Sequence, residues 1–555
     1  MLRKIGAGFF KRQGLVVITL VIFSALILFF NAGKKSFWEP DEGRYAEISR
    51  EMLESGDWLT PRLNYIKHFD KPPLAYWLIG SSFKLLGQTE FAGHLPHILL
   101  GLSGILATFY LGQNLFDRRT GFLAALILST SLGYPALARV LNTDIILAFF
   151  CLLSYLFFAQ KRFILFYLAL ALGFMTKGPI ILMLALVPIC AFLIYTKQFQ
   201  TLKKMRWGLG VPLFALVALP WFIYQISQNQ KLLLDWTVHQ TLHRIIQPGE
   251  QPFYFFIPVL LGFFFPWIFF LPLSLNQRLS FRRIQPDQDK LNILFLFLWF
   301  ILPFIFFSCI GKKLVPYLVP LLPALAIISA RFWHQVFDHP KILRQKYFKM
   351  SFYLFFSVLI LIGLSLAAFL ILGFDQKLHI ETARLNIIVL AIAVIIGAVS
   401  CLLFYKKERS GWLFTSLAVI STVFLLNAID LLPKIEVNNS KSIKPLALKI
   451  QQDLRPEDKV VNYRCFLKSL PFYLKRRTIV VERQRHLVYE GDVEHWRDYL
   501  LKDKQDLYRL FSSKDKVYCI TYTWEFKDIK RDYSRPLYLL DRVGKYVLFT
   551  NREKR

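Results

Sequence analysis

The sequence predicts a polytopic α-helical membrane protein of about thirteen transmembrane helices that ends in a soluble α/β domain. Three observations carry this prediction. The chain of 555 residues is 55% hydrophobic, with 54 phenylalanines and a mean hydropathy of +0.42. Its net charge of +31 is gathered largely in short loops between apolar runs, the pattern of membrane topology, which removes nucleic acid as the partner of the basic surplus. From residue 431 to 555 the apolar character gives way to polar sequence with strand-like runs.

Apolar segments fall at 14–32, 75–89, 93–115, 121–138, 142–159, 163–176, 178–196, 208–227, 253–274, 291–309, 314–330, 350–373, 386–405 and 411–429. No small-residue cleavage site follows Leu15–Phe30, so the first is expected to be a retained span. The second, KPPLAYWLIGSSFKLLG, is short and led by two prolines, and is expected to be interfacial. With the N-terminus inside, the inner loops collect Arg118–Arg119, Lys161–Arg162, Lys203, Lys204, Arg282, Arg283, Arg344, Lys346 and Lys406–Lys407, while the short outer turns carry few cations. Counting KPPLAYWLIG as a span would reverse every later loop and break this pattern.

The same assignment puts on the outer side the acidic loop 33–74, the turns around Arg139–Asp144, Lys177 and Gly311–Tyr317, and the polar loop 228–252. It also puts there the tail, which alternates a helix-like stretch (Ser442 to Leu454) with the strand-like runs VVNYRCF, RTIVVE, KVYCITYTW and KYVLFT. The domains are therefore expected as 1–430, a transmembrane domain with the outer loop 33–74, and 431–555, a periplasmic α/β domain. Of the six cysteines, only Cys465 and Cys519 lie in the tail, where a disulfide between them is open.

Loop 33–74 holds eight carboxylates: Glu39, Asp41, Glu42, Glu47, Glu51, Glu54, Asp57 and Asp70. The spacing from Asp41 predicts a short amphipathic helix along the bilayer surface. Asp41 and Glu42 are then either the cap and first turn of that helix or functional acids. Asp144 opens an apolar span, where it or Thr143 could be the cap. Asp70 and Lys71 are held at the boundary by Pro72 and Pro73. Lys177 is either a snorkelling lysine or a site cation. His239 and His243 share a helix face but lack an HExxH pattern, and the neighbouring Arg244 suits bidentate phosphate binding. The outer side thus offers the cations Arg44, Lys71, Lys177, Arg244, Lys312 and Lys313 and the carboxylates Asp41, Asp70 and Asp144. Such a set can grip a leaving phosphate and steady positive charge developing on a sugar ring. No Gly-rich nucleotide loop is present, so a lipid phosphate fits better than a nucleotide as sugar carrier.

The ordered motifs DEGRYAE (41–47), DKPP (70–73), ARVLNTD (138–144), QPFYFFIPVL (251–260) and GKKLVPYLVPLLPAL (311–325) resemble those of the GT-C glycosyltransferases related to lipid A aminoarabinose transferases and protein O-mannosyltransferases. The likeness covers about residues 10–330. It implies thirteen spans, an outer α/β domain and a polyprenyl-phosphate-linked sugar donor. Asp41 and Asp144 match candidate catalytic carboxylates. Arg44, Tyr45, Lys71, Arg244 and Tyr317 match positions that hold the donor phosphate or line the cavity. Asp70 and His239 match a pair that can bind zinc, although the family more usually has glutamate before Lys-Pro-Pro. The expected activity is transfer of a 4-amino-4-deoxy-L-arabinose-like sugar from undecaprenyl phosphate to lipid A at the periplasmic side of the bacterial inner membrane. A protein O-mannosyltransferase-like enzyme and a non-catalytic lipid-linked sugar transporter are the alternatives. Carboxylates gathered on one side count against transport, which places its charges within the spans. The topology is testable: a reporter active only in the periplasm should work when fused after Arg555 and fail when fused at Lys407.

Overall fold

The computed structural model of the chain describes residues 10, 12–228, 251–276, 288–373, 381–436, 440–482 and 498–553. The chain divides into two compact units, Met1–Ala32 with His97–Asp430, and Gly33–Pro96 with Leu431–Arg555.

The first unit is helical, and among the described residues the segments expected to span fall on helices or a bent helix pair, with 121–138 the exception. Among the described residues, seven helices are long and apolar enough to cross a membrane, and a pair bent by 109° at a short break (Phe253–Phe263 with Trp267–Leu275) makes an eighth. The break carries Pro266, which lacks the donor a continuous helix needs. Shorter apolar helices occupy other expected spans, including Gln13–Phe29, Asp144–Ala159, Phe163–Lys177 and Ile180–Tyr195. Segment 121–138 is interrupted: its helix, Arg118–Thr130, stops before Ser131, and Gly133–Leu137 forms a separate turn. Helices Asp144–Ala159 and Phe163–Lys177 carry a charged residue at one end each. They are joined by three residues and pack on each other. The first is anchored by Tyr155, whose ring stacks on Trp299 at 3.9 Å. This pairing returns the chain so that the end of the second helix lies beside the start of the first.

In the second unit the acidic loop folds with the C-terminal residues. Helix Asp41–Ser55 is followed by a tight hairpin of β1 (Arg62–Leu63) and β2 (Ile66–Lys67) and then by helix Leu74–Leu86. The last has 13 residues, about 20 Å at 1.5 Å per residue, against about 30 Å for a bilayer core. The tail forms a six-stranded sheet, β3 (Lys459–Tyr463), β4 (Ile479–Val481), β5 (Leu500–Leu501), β6 (Val517–Tyr522), β7 (Tyr538–Val543) and β8 (Tyr546–Thr550), in the order β5-β4-β3-β6-β8-β7. The β5-β4-β3-β6 pairings are parallel, and β8 and β7 add antiparallel. Helices Lys444–Gln451 and Ser469–Leu474 cover one face through Leu446, Ile450 and Leu470. Leu507, Phe511 and Ile529 cover the other, giving the α/β layers the strand-like runs implied. Strand β7 escaped the sequence reading because it carries Asp541 and Arg542 and buries only Val543.

Helix Asp41–Ser55 differs from the surface helix expected of it. Residues Glu42 to Met52 are buried on almost every side, because its charges neutralise one another along the helix. Arg50 donates to both Glu47 oxygens at 2.7 Å and to Glu54 at 2.5 Å, while Glu51 accepts from the Tyr65 backbone at 2.8 Å. Loop and tail are joined by specific contacts. The Asn64 amide exchanges two hydrogen bonds with the Thr478 backbone, and the Phe37 ring packs edge-on against Phe472 at 4.9 Å.

The disulfide considered for Cys465 and Cys519 is not formed; both are buried free thiols. Cys465 packs in the core on one face of the sheet with Ile520, and Cys519 packs on the opposite face with Val461. Alternation along β6 puts Cys519 on the face opposite Ile520, and Cys465, just beyond the end of β3, packs on the Ile520 face. Thiol labelling of the unfolded protein should therefore be equal with and without reductant; labelling that rises on reduction would contradict this arrangement.

Candidate active site

Among the described residues, the candidate site residues fall into two groups of charged side chains, one in each unit. In the second unit the helix starts at Asp41, its flanking residue is Pro40, and no side chain caps it. Asp41 is therefore not the cap that its position allowed. Its carboxylate is 67% exposed and accepts from Arg44 Nη2 at 3.0 Å. The other arm of Arg44 donates to Asp70 Oδ2 at 2.8 Å, and Lys71 Nζ donates to Asp70 Oδ1 at 2.8 Å. Pro72 and Pro73 hold Asp70 and Lys71 against helix Leu74–Leu86, so the guanidinium fork bridges two carboxylates from separate segments. Arg44 also lies over the Tyr45 ring, 5.2 Å from its centroid, and Tyr45 faces Tyr76 at 5.7 Å.

Burial would raise the Asp70 pKa, but Lys71 and Arg44 hold it well below the usual carboxylate range. His68, two residues earlier, is pushed down to about 3, chiefly by burial, so it is neutral. Its Nε2, the Tyr76 hydroxyl and Arg44 Nε are buried without a hydrogen-bond partner among the described residues. Such groups at the edge of a charged cluster are what an incoming polar ligand would satisfy. His68 and Tyr76 were missed in the sequence. A histidine after a β-hairpin and a tyrosine in an apolar helix look ordinary until folding sets them beside Arg44.

In the first unit the Asn142 side chain caps helix Asp144–Ala159, accepting from the backbone N–H of Asp144 (2.8 Å) and Ile145 (3.2 Å). Asn142, not Thr143 or Asp144, fills the capping role, and the Asp144 carboxylate is left to accept from Lys177 Nζ at 2.6 Å. Lys177 also sits over the Tyr317 ring, 4.7 Å from its centroid, so it is a paired, half-buried cation instead of a snorkelling one. Lys313, another of the outer cations, uses its ammonium on the backbone carbonyls of Ile310 (2.8 Å) and Gln251 (3.2 Å), a structural role. Asp144, Lys177 and Tyr317 are thus brought together, as are Asp41, Arg44, Tyr45, Asp70 and Lys71. His239, His243 and Arg244 lie outside the described residues.

A metal at Asp70 finds little support in the described residues. Both oxygens already accept from cations, which a divalent ion would have to displace. No group of three or more His, Cys, Asp or Glu able to hold a metal occurs among the described residues. His239, the other residue of that pair, lies outside the described residues, and no chemical step is assigned to a metal.

The fold and these clusters define a polytopic membrane protein of the GT-C class. The crystal structure of ArnT from Cupriavidus metallidurans bound to undecaprenyl phosphate superposes with a TM-score of 0.81, covering 97% of this chain and 98% of that one at 23% identity, and its apo form gives 0.80. Residues 70–224 match the family model for dolichyl-phosphate-mannose-protein mannosyltransferases. An undecaprenyl phosphate-α-4-amino-4-deoxy-L-arabinose arabinosyl transferase of Serratia proteamaculans is 30% identical over 396 residues, 67% of this chain and 68% of that protein. The transferase 2 of the same description from Proteus mirabilis is 31% identical over 333 residues, 57% of this chain. The chain spans less than two thirds of several of the curated relatives it matches, 59% of the Proteus mirabilis protein among them. It belongs to the family of undecaprenyl phosphate-aminoarabinose arabinosyl transferases.

Helix Asp41–Ser55 is itself set by a buried charge. Glu42 accepts from Lys35 Nζ at 2.5 Å and from the Trp38 backbone at 3.0 Å, and its other oxygen lies 3.1 Å from His94 Nε2. Burial alone would raise its pKa, but Lys35 and His94 bring it down to about 2. A carboxylate with a depressed folded-state pKa gives stability that is present above its ordinary value of 4.5 and lost as pH falls towards 2. Glu42→Gln should lower the thermal unfolding temperature at pH 7, and the gap to wild type should narrow as pH drops below about 4. A gap that is constant with pH would show that Glu42 carries no such charge.

Proposed function

We propose that the chain is a glycosyltransferase that moves a 4-amino-4-deoxy-L-arabinose-like sugar from undecaprenyl phosphate to lipid A. It would act on the periplasmic side of the bacterial inner membrane, with residues 431–555 a periplasmic α/β domain. The observation that carries this reading is the Asp41–Arg44–Asp70–Lys71 chain of ion pairs, in which cations sit next to an exposed carboxylate and to buried polar groups without partners. Support also comes from membership of a family named for that reaction.

In this reading the bond between the sugar's anomeric carbon and the donor phosphate oxygen breaks, and its electron pair stays on the phosphate. A bond from an acceptor oxygen forms at the same carbon, with inversion if the attack is direct. Arg44 and Lys71 neutralise the charge growing on the leaving phosphate, and Lys177 and Arg244 are proposed as further substrate-binding cations. Tyr45 and Tyr317 shape the binding surface and orient the cations through their ring faces. A lipid A phosphate is already anionic and needs no base, so Asp41 and Asp144 would position it or steady the oxocarbenium-like state. The mannosyltransferase family match over residues 70–224 favours a second version with a protein hydroxyl as acceptor, in which Asp41 takes the hydroxyl proton.

Mass spectrometry of lipid A from cells with and without the gene decides between the acceptors, since only the first version adds the aminosugar there. In a purified transfer assay, Lys71→Ala and Arg244→Ala should each lose about 10- to 100-fold in rate, the worth of one charge-assisted contact of about 1.5–3 kcal/mol. Asp41→Asn should lose more with a hydroxyl acceptor than with a phosphate. Near-normal transfer by all three variants would overturn the site assignment.

A further inference from the structure

Lys468 belongs to the tail, in the loop that leads into helix Ser469–Leu474, and the fold sets it against the start of helix Asp41–Ser55. Its backbone N–H donates to Glu39 Oε2 at 3.0 Å, and the Ser469 N–H donates to Glu39 Oε1 at 2.7 Å. The approach is close: a Cβ on Gly43 would stand 2.6 Å from Ser469 N, so glycine at 43 is what admits this loop. The position of Lys468 is therefore fixed by its own backbone, independently of its side chain.

The side chain is half-buried, and its ammonium makes no hydrogen bond or ion pair among the described residues. The charged groups that act on it are Arg44 and Asp41 from helix Asp41–Ser55, Glu39 from the loop before it, and Asp70 from the turn after the hairpin; it acts in turn on His68. Glu39 holds backbone N–H groups, Asp41 holds Arg44, and Asp70 holds Arg44 and Lys71. Burial and the neighbouring Arg44 guanidinium push the lysine down to about 8. A half-buried ammonium beside a guanidinium raises the energy of the chain by itself, and an anion that reached both would relieve that.

We propose that Lys468 is a phosphate-binding residue of the transferase, supplied by the C-terminal tail and acting with Arg44 and Lys71 on one phosphate-bearing lipid substrate. The inference rests on the proposed transferase activity. A compact ammonium suits a phosphate oxygen, and two lipids in that reaction carry one: undecaprenyl phosphate and lipid A.

The test measures binding of three probes to the full-length protein in detergent: undecaprenyl phosphate, lipid A, and undecaprenol as the control without phosphate. Lys468→Ala and the length-matched Lys468→Met should weaken one of the two phosphate lipids by about 10- to 100-fold. Lys468→Arg should stay within a few-fold of wild type, and undecaprenol binding should not change. A loss confined to undecaprenyl phosphate assigns the contact to the donor, and a loss confined to lipid A assigns it to the acceptor. In transfer assays the same variants should raise KM for that lipid while leaving kcat near wild type. The proposal is overturned if both neutral variants bind both phosphate lipids as tightly as wild type, if undecaprenol binding falls equally, or if the wild-type protein binds neither phosphate lipid. A wild-type protein that binds them but transfers no sugar would overturn the transferase reading and leave the Lys468 contact standing.

Discussion

The guanidinium of Arg44, shared between Asp41 and Asp70, is the interaction that ties together the charged cluster of the second unit. A charge taken out of water is tolerated only when it is paired and its remaining donors are met. Residues 33–96 contain many such charges, and several of the buried ones have a cation close by in sequence: Glu42 with Lys35, Glu47 with Arg50, Asp70 with Lys71. This pairing lets a strongly acidic segment become the packed interior of a unit instead of a solvated loop. The Arg44 pairing differs in one respect. One of its carboxylates, Asp41, is mostly exposed, so the chain of charges runs from a buried interior to a surface where a ligand can join it.

The first unit solves the same problem with fewer groups. A carboxylate at the first position of an apolar helix would usually be taken up by the helix end. Asn142 takes that role, and the Asp144 charge is balanced by a lysine from the end of the next helix, itself resting on the Tyr317 ring. The short connection between the two helices makes them antiparallel neighbours and brings this pair within reach. A helix that leaves one side of a bundle and returns places its last turn beside its neighbour's first.

The tail has a second part to play beyond forming a sheet. Its Lys468–Ser469 backbone holds Glu39, and Thr478 holds Asn64, so both ends of the Asp41 helix segment are tied to it. Burial of Phe37 against Phe472 adds apolar area to those hydrogen bonds. The α/β domain expected from the sequence is also the support that gives the acidic loop a defined shape.

The amino-acid sequence determined by itself whatever depends on local pattern. Apolar runs set the spanning helices, loop cations set the expected orientation, and alternating β-branched residues marked β3, β4, β6 and β8. The carboxylates and cations of both clusters were recognisable by type, because ionisable groups beside apolar spans are costly enough to stand out. Tertiary structure alone decided who meets whom. It turned Asp41 and Asp144 from possible caps into paired carboxylates, buried a helix that looked amphipathic, and sent Cys465 and Cys519 to opposite faces of one sheet. It also brought Lys468 to Arg44 across more than 400 residues of chain. Local propensity extends only over a few turns, whereas the partner that makes a buried charge tolerable is chosen by packing, and packing is not written at any single position.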